Sequence, residues 1–260
     1  MTTNQPKRDS VALDTQISRI TEKNQIDVLS PTVIKSLPND LLTEVLAKVA
    51  TSSYIDLIQA KLATKHFLEA SNDRYIFQHV SLGNFRNLLW NNSPKFWSFM
   101  ETCNNSENPE SLYRKGMLEF FTHCKEASGM AYLKRSAQKG YVDACYVFGV
   151  ILYASNLKDE GLEFLKNNEV KLGNKMIECR QRVKEFVSYI WIKNKISLSE
   201  GDSSYGRKCD KNINCRVNEK INVWDSKDED DYYGKYTCEE CKWNNEVLRF
   251  CKMLRTGRFS

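Results

Sequence analysis

The sequence predicts an all-α chain, made of a three-helix unit near the N-terminus, a solenoid-like region of α-helical hairpin repeats, and a small cysteine-bearing C-terminal tail. Three observations predict it. Capped apolar stripes at helical spacing lie between residues 37 and 82, a self-similar block with a period of 32 to 33 lies between residues 113 and 166, and a further apolar periodicity runs from about Lys175 to Lys195. Periods in the low thirties mark stacked helix pairs, and stripes at i, i+3 and i+4 mark helices with one buried face. The chain divides on this reading into a polar leader (1–34) with Pro6 and Pro31, the three-helix unit (35–82), the repeats with their capping helix (83–196), and the tail (197–260).

Composition excludes several classes of function. The 260 residues carry 38 Lys and Arg against 33 Asp and Glu, a net charge of +5, with 41% hydrophobic and 11% aromatic residues. That is enough apolar material for a packed core, which excludes wholesale disorder and a collagen-like or low-complexity chain. No apolar run approaches the roughly 20 residues that a membrane helix needs. The longest, Tyr146 to Ala154, reads as a buried helix of a soluble protein. The nine cysteines are odd in number, and the N-terminus lacks the apolar core of a signal peptide. A reducing compartment, the nucleus and/or the cytoplasm, is therefore expected. The basic excess is diffuse, with acids interleaved among the bases, and does not by itself point to nucleic acid.

Leu37-Pro38-Asn39-Asp40 sets the first helix. Proline at a first helical position gives up no needed N–H, and the Asp40 carboxylate meets the positive end of the helix. Leu41, Leu42, Val45, Leu46 and Val49 follow at i, i+1, i+4, i+5 and i+8, one apolar stripe. Ser53 and Asp56 stand three apart, the spacing of a capping box, and predict a second helix from about Tyr54 to Ala70 after the turn Thr51-Ser52. Tyr75 to Val80 supplies the third and closes the unit near Leu82. A unit of about 45 residues buries too little surface to be secure alone, so it is expected to dock on the rest of the chain, on a partner, or on both.

The segment Ser36 to Leu82 resembles an F-box, the helical module by which substrate receptors attach to the Skp-one-type linker of SCF ubiquitin ligases. Leu37-Pro38, Asp40-Leu41-Leu42, Glu44-Val45-Leu46, Val49, Asp56-Leu57, Lys65 and Phe67 stand in the order and spacing of its signature. The whole chain also resembles plant F-box proteins that continue with helical repeats and end in a cysteine-bearing tail. The resemblance implies a non-catalytic, substrate-recruiting adaptor. Leu37, Pro38, Leu41, Leu42, Val45, Leu46 and Val49 would lie in a groove of the linker, which in turn reaches a cullin, while the repeats hold a protein target. Neither the target nor the residues that touch it can be read from one sequence.

Residues 83 to 105 are rich in aromatics (Trp90, Phe96, Trp97, Phe99), with Ser93-Pro94 as a cap and first-turn proline, and Asn104 to Ser111 reads as a turn cluster. Beyond it lies the repeat. Tyr113-Arg114-Lys115-Gly116-Met117 aligns with Tyr146-Val147-Phe148-Gly149-Val150, and Gly129-Met130-Ala131-Tyr132-Leu133-Lys134 with Gly161-Leu162-Glu163-Phe164-Leu165-Lys166. Gly116 and Gly149 sit inside apolar helical patterns, where glycine costs about 1 kcal/mol against alanine and is best explained by close helix approach. Gly140 reads as a helix stop. The block Ala137 to Gly149 resembles the Sel-one-like repeat, a relative of the tetratricopeptide repeat. About one and a half units are visible, so the F-box on one side and the helix from Lys175 to Lys195 on the other are expected to cap them. That helix carries Ile177, Val183, Phe186, Val187, Ile190 and Trp191 on one side, with Arg180, Arg182, Lys184, Lys193 and Lys195 opposite, and the plain expectation for the basic side is a solvated face.

In the tail, Cys209 and Cys215 are separated by five residues, and Cys238 and Cys241 by two. A C-x2-C turn suits a tetrahedral metal ion, so the four could hold one structural zinc; the other reading is free thiols in a small helical tail, with a helix from about Asn244 to Leu254. Four thiolates would close the site and leave no open position for catalysis. The acidic run 228–231 between the pairs reads as solvated loop. His123 and Cys124 are adjacent; on a helix such neighbours point about 100° apart and cannot form a nucleophile–base pair. No phosphate loop, nucleophile elbow or HExxH is present. The leading expectation is the SCF adaptor. Two alternatives stand beside it: a zinc-stabilised nucleic-acid-binding protein using Arg180, Arg182 and Lys184, and a helical-repeat scaffold in which Leu41 and Leu42 are buried inside the chain.

Overall fold

Pro38 starts the first helix from its N-cap, one position earlier than expected. Helix α1 runs Asn39–Ser52, and the Pro38 carbonyl accepts the Leu42 N–H at 3.1 Å. The computed structural model describes residues 37–83, 85, 93–155, 157–169, 172, 176–194, 196 and 239–255. The leader, Trp90, Lys195, the acidic run 228–231 and Cys209, Cys215 and Cys238 lie outside these residues.

The expected single stripe of α1 is two faces. Leu42 and Leu46, one turn apart, are 1% and 2% exposed and point inward with Ala47 and Ala50. Leu41 and Val45, each rotated about 100° from those neighbours, face solvent at 49% and 51%. The expected second helix is also two. Helix α2 (Tyr54–Ala63) is capped by Ser53, whose hydroxyl accepts the Asp56 N–H at 3.2 Å. The chain then turns extended at Thr64, whose Oγ1 accepts the Phe67 N–H at 3.1 Å and starts α3 (Lys65–Ala70). A β-branched residue with a capping oxygen explains the break. Helix α4 (Arg74–His79) begins at Asp73, which accepts the Tyr75 N–H at 2.7 Å.

These four helices do not close their own core. Phe96, Met100 and Cys103 of α5 (Pro94–Asn105) bury against Leu42, Leu46, Leu57, Ile76, Val80 and Leu82. The unit therefore extends past the expected boundary at residue 82, because short helices bury too little surface among themselves.

The turn between α5 and α6 (Pro109–Met117) is shorter than expected, since helix runs to Asn105 and Asn108 already caps α6 by accepting the Ser111 N–H. A π-helical turn, Leu118–Thr122, extends α6 before α7 (Glu126–Gln138) returns antiparallel to it. Helices α8 (Val142–Ala154) and α9 (Lys158–Asn167) form the second hairpin, and α10 (Met176–Ser188) packs on α8. Two hairpins are thus present where one and a half were expected. The repeat glycines sit at their crossings, with Gly116 against Leu133 and Gly129, and Gly149 against Leu165 and Phe164. Between the hairpins Gly140 takes φ +83°, the left-handed stop expected of it.

The last helix, α11 (Glu239–Arg255), belongs to the expected tail, of which residues 197–238 lie outside the described residues. It starts five residues earlier than predicted, and Trp243, Val247, Phe250, Cys251, Met253 and Leu254 are part of the repeat core. That placement explains why α8 is apolar all round: it is covered by α7, α9, α10 and α11.

Candidate protein-docking site

Six exposed large apolar side chains lie between residues 41 and 75: Leu41 and Val45 on α1, Ile55 and Leu62 on α2, Leu68 on α3 and Tyr75 on α4. Only three more, Trp97, Leu157 and Trp191, are exposed among the other described residues. Leu41 and Val45 are one turn apart, and Ile55 and Leu62 two turns apart, so each helix carries a coherent outward stripe. A concentration of this kind is the mark of a protein interface.

Of the seven residues expected to meet a partner, Pro38, Leu41 and Val45 are exposed, and Leu37 and Val49 are half-buried. Leu42 and Leu46 are corrected: they hold the unit's own core and offer no surface. Ile55, Leu62, Leu68 and Tyr75 were missed. The signal was available in the paired spacing of Ile55 and Leu62, but period alone does not say which of two apolar faces is the wet one.

A buried polar joint fixes this unit to the repeats. Arg114 on α6 donates through Nη2 to the Leu82 carbonyl at 2.7 Å, through Nη1 to the Phe85 carbonyl, and through Nε to Glu110 at 3.1 Å. Glu110 in turn accepts the Leu82 N–H at 3.0 Å. Asn108 donates to the carbonyls of Phe77 and Val80 at 2.9 and 2.8 Å while capping α6. Phe186 of α10 packs against both cores.

A second buried network surrounds Glu246 on α11. Arg180 donates to it through Nε and Nη2 at 2.8 and 2.7 Å, and the Tyr146 hydroxyl at 2.6 Å. Burial, and next the Glu246 charge, hold the Tyr146 phenol well above its usual range. Tyr153, two turns along α8, donates to Asn244 at 2.7 Å. Lys158 pairs with Glu240 at 3.3 Å, and Lys242 with Glu169. Arg180 is therefore no part of a solvated basic face. Arg182 also has a structural partner, donating through Nε and Nη2 to buried Asp143 at 2.8 and 2.6 Å. Lys184 and Lys193 are exposed. Of the three residues named for the nucleic-acid alternative, Arg180 is held in a buried ion pair, while Arg182, paired with Asp143, and Lys184 are exposed.

Cys241 is buried on the first turn of α11, and its three expected co-ligands lie outside the described residues. His123 and Cys124 stand exposed in the turn after the π-helix, with Cys124 at φ 56°, and not on a helix as expected. Cys103 is buried, which pushes its thiol up to about 12, with the Glu110 charge adding to the effect. Burial, and next Asp143, likewise push the Cys179 thiol well up. No helix of the described residues is long and apolar enough to cross a membrane.

Fold and surface together define a helical-repeat protein that carries a small N-terminal helical unit with an exposed apolar face. Residues 84–188 match the family of plant tetratricopeptide repeats. An Arabidopsis thaliana protein described as a candidate F-box protein is 31% identical over 184 residues, which are 68% of this chain and 61% of the relative. A second Arabidopsis thaliana protein, named as an F-box protein, is 25% identical over 142 residues, 52% of this chain and 83% of the relative. This chain thus spans less than two thirds of the first relative's length. No solved structure matches. The chain is thus similar to two plant proteins named as F-box proteins and, over residues 84–188, to plant tetratricopeptide repeats.

Proposed function

We propose that this chain is the substrate-recognition adaptor of an SCF-type ubiquitin ligase. The α1–α4 unit binds a Skp-one-type linker and, through it, a cullin; the repeats hold a protein target; and catalysis belongs to other subunits. The observation that carries the reading is the exposed apolar set on α1–α4, standing on a unit whose core, completed by α5, takes up Leu42 and Leu46. The names of the relatives point the same way. Central aliphatic anchors of such interfaces often cost 2 kcal/mol or more on truncation. Leu41→Ala/Val45→Ala in the full chain is therefore expected to weaken linker binding at least about thirtyfold, measured by calorimetry, with the thermal melt unchanged because both side chains are exposed. Wild-type affinity in that variant would overturn the reading. Leu42→Ala is unsuited to the purpose, since it opens the core.

We also carry forward one structural zinc on Cys209, Cys215, Cys238 and Cys241, supported by the C-x2-C spacing and by Cys241's place on the first turn of a packed helix. Native mass spectrometry before and after a chelator should show the loss of one zinc; an unchanged mass equal to that of the bare chain would reject it. The nucleus and the cytoplasm are the proposed settings, in keeping with reduced cysteines.

A further inference from the structure

The 42 residues 197–238 separate α11 from the rest of the repeat region, a connection far longer than a hairpin loop. Helix α11 meets the repeats as a ligand helix would. Its N-terminal end lies at Tyr153 and its middle at Tyr146 and Arg180, and the Phe250 ring packs 5.9 Å from Tyr146 and 6.3 Å from Phe121 of the π-helical turn. Val247 and Phe250 are fully buried there. A helix needed only to fill a core would be served as well by apolar residues, because a buried ion pair seldom stabilises more than the hydrophobic groups that could replace it. What the Arg180–Glu246–Tyr146 cluster supplies is selection: a bidentate guanidinium and a phenol on one carboxylate fix the register and sense of the helix.

We infer that the trough lined by the π-helical turn, α8 and α10 is a binding site for an amphipathic helix with a glutamate at its centre, and that α11 occupies it in cis. The ligand chemistry is that of the present occupant: Glu246, Asn244 two residues before it, and apolar groups one and four residues after it, as Val247 and Phe250 are. The target's own helix, presenting the same pattern, displaces α11. The inference rests on the adaptor reading only in assigning the target to the repeats. Tethering in the same chain gives α11 an effective concentration of up to about the millimolar range, so a trans helix competes well only when the cis helix is weakened.

The test uses the full chain and a fluorescent peptide spanning residues 239–255. Glu246→Gln in the chain removes the carboxylate that Arg180 and Tyr146 select, and the peptide is expected to bind this variant at least about tenfold more tightly than wild type. A peptide that itself carries Glu246→Gln should bind the variant at least about tenfold more weakly than the native peptide. In parallel, hydrogen exchange of the wild-type chain should show α11 amides opening faster than those of α8. Equal peptide affinity for the two chains, equal affinity of the two peptides, or α11 and α8 exchanging as one unit would overturn the inference. The exchange measurement decides the matter even if the variant does not fold. Neither readout involves the linker, so a negative result here leaves the adaptor reading standing.

Discussion

Gly161 shows how closely the repeat helices approach one another. A Cβ at this position would run into the backbone nitrogen and Cα of Tyr153 and the carbonyl carbon of Leu152, atoms that cannot swing aside as a side-chain end could. Alanine is the better helix former by about 1 kcal/mol, but overpacking against backbone costs about 1–3 kcal/mol or more, and the clash wins. Gly161→Ala should therefore destabilise the chain by about 2 kcal/mol in urea unfolding. At Gly140 nothing lies within 4 Å of the added carbon, and the penalty there is conformational, from φ +83°. One glycine serves packing and the other a turn. Burial acts at the same scale on the cysteines, where raised thiol ranges at Cys103 and Cys179 make those side chains apolar filler and not nucleophiles.

At the scale of elements, caps decide where helices end. Thr64 both interrupts the expected helix 54–70 and starts α3 with its hydroxyl, so Thr64→Ala should cost about 1 kcal/mol and raise hydrogen exchange in Lys65–Ala70 above that in α2. Equal protection of the two helices in the variant would show that packing, not the cap, sets this break. The sequence made Ser53, Pro38, Pro94 and Gly140 legible as punctuation because each acts through its own local chemistry. Hairpin periodicity was legible in Gly116 and Gly149 for the same reason: the residue type itself reports the close approach. The two faces of α1 were not separable, since Leu41 and Leu42 are identical in type and only tertiary packing says which is wet. Nor was the packing of α11 legible. A helix from about Asn244 to Leu254 was legible, but the partners of Glu246 come from positions 66 and 100 residues away. Arg180 misled for that reason: a charge pattern along one helix looks solvated until a counter-charge arrives from another element, whereas Arg182, though paired with Asp143, is exposed as expected.

For the whole molecule, the proposed adaptor role requires a target held at a defined distance and angle from the linker, so the joint between the two cores matters as much as either surface. Here the polar part of the joint is supplied by the N-terminal part of α6 and its cap: Asn108, Glu110 and Arg114 take up the end of α4 and the chain that follows it. Directional hydrogen bonds to backbone fix orientation more tightly than apolar contact, which tolerates sliding. Arg114 is buried, and removing it takes a donor from the carbonyls of Leu82 and Phe85 and leaves Glu110, which keeps the Leu82 N–H, without its ion-pair partner. A broken buried pair costs about 3–5 kcal/mol. Because that loss falls at the boundary and not within either core, Arg114→Ala should separate a single calorimetric transition into two, the α1–α5 unit melting first as the smaller body. Linker affinity should then persist below the first transition, since Leu41 and Val45 are untouched. A variant that still melts in one step, merely at lower temperature, would place the coupling instead in Phe186 and the apolar contacts around it.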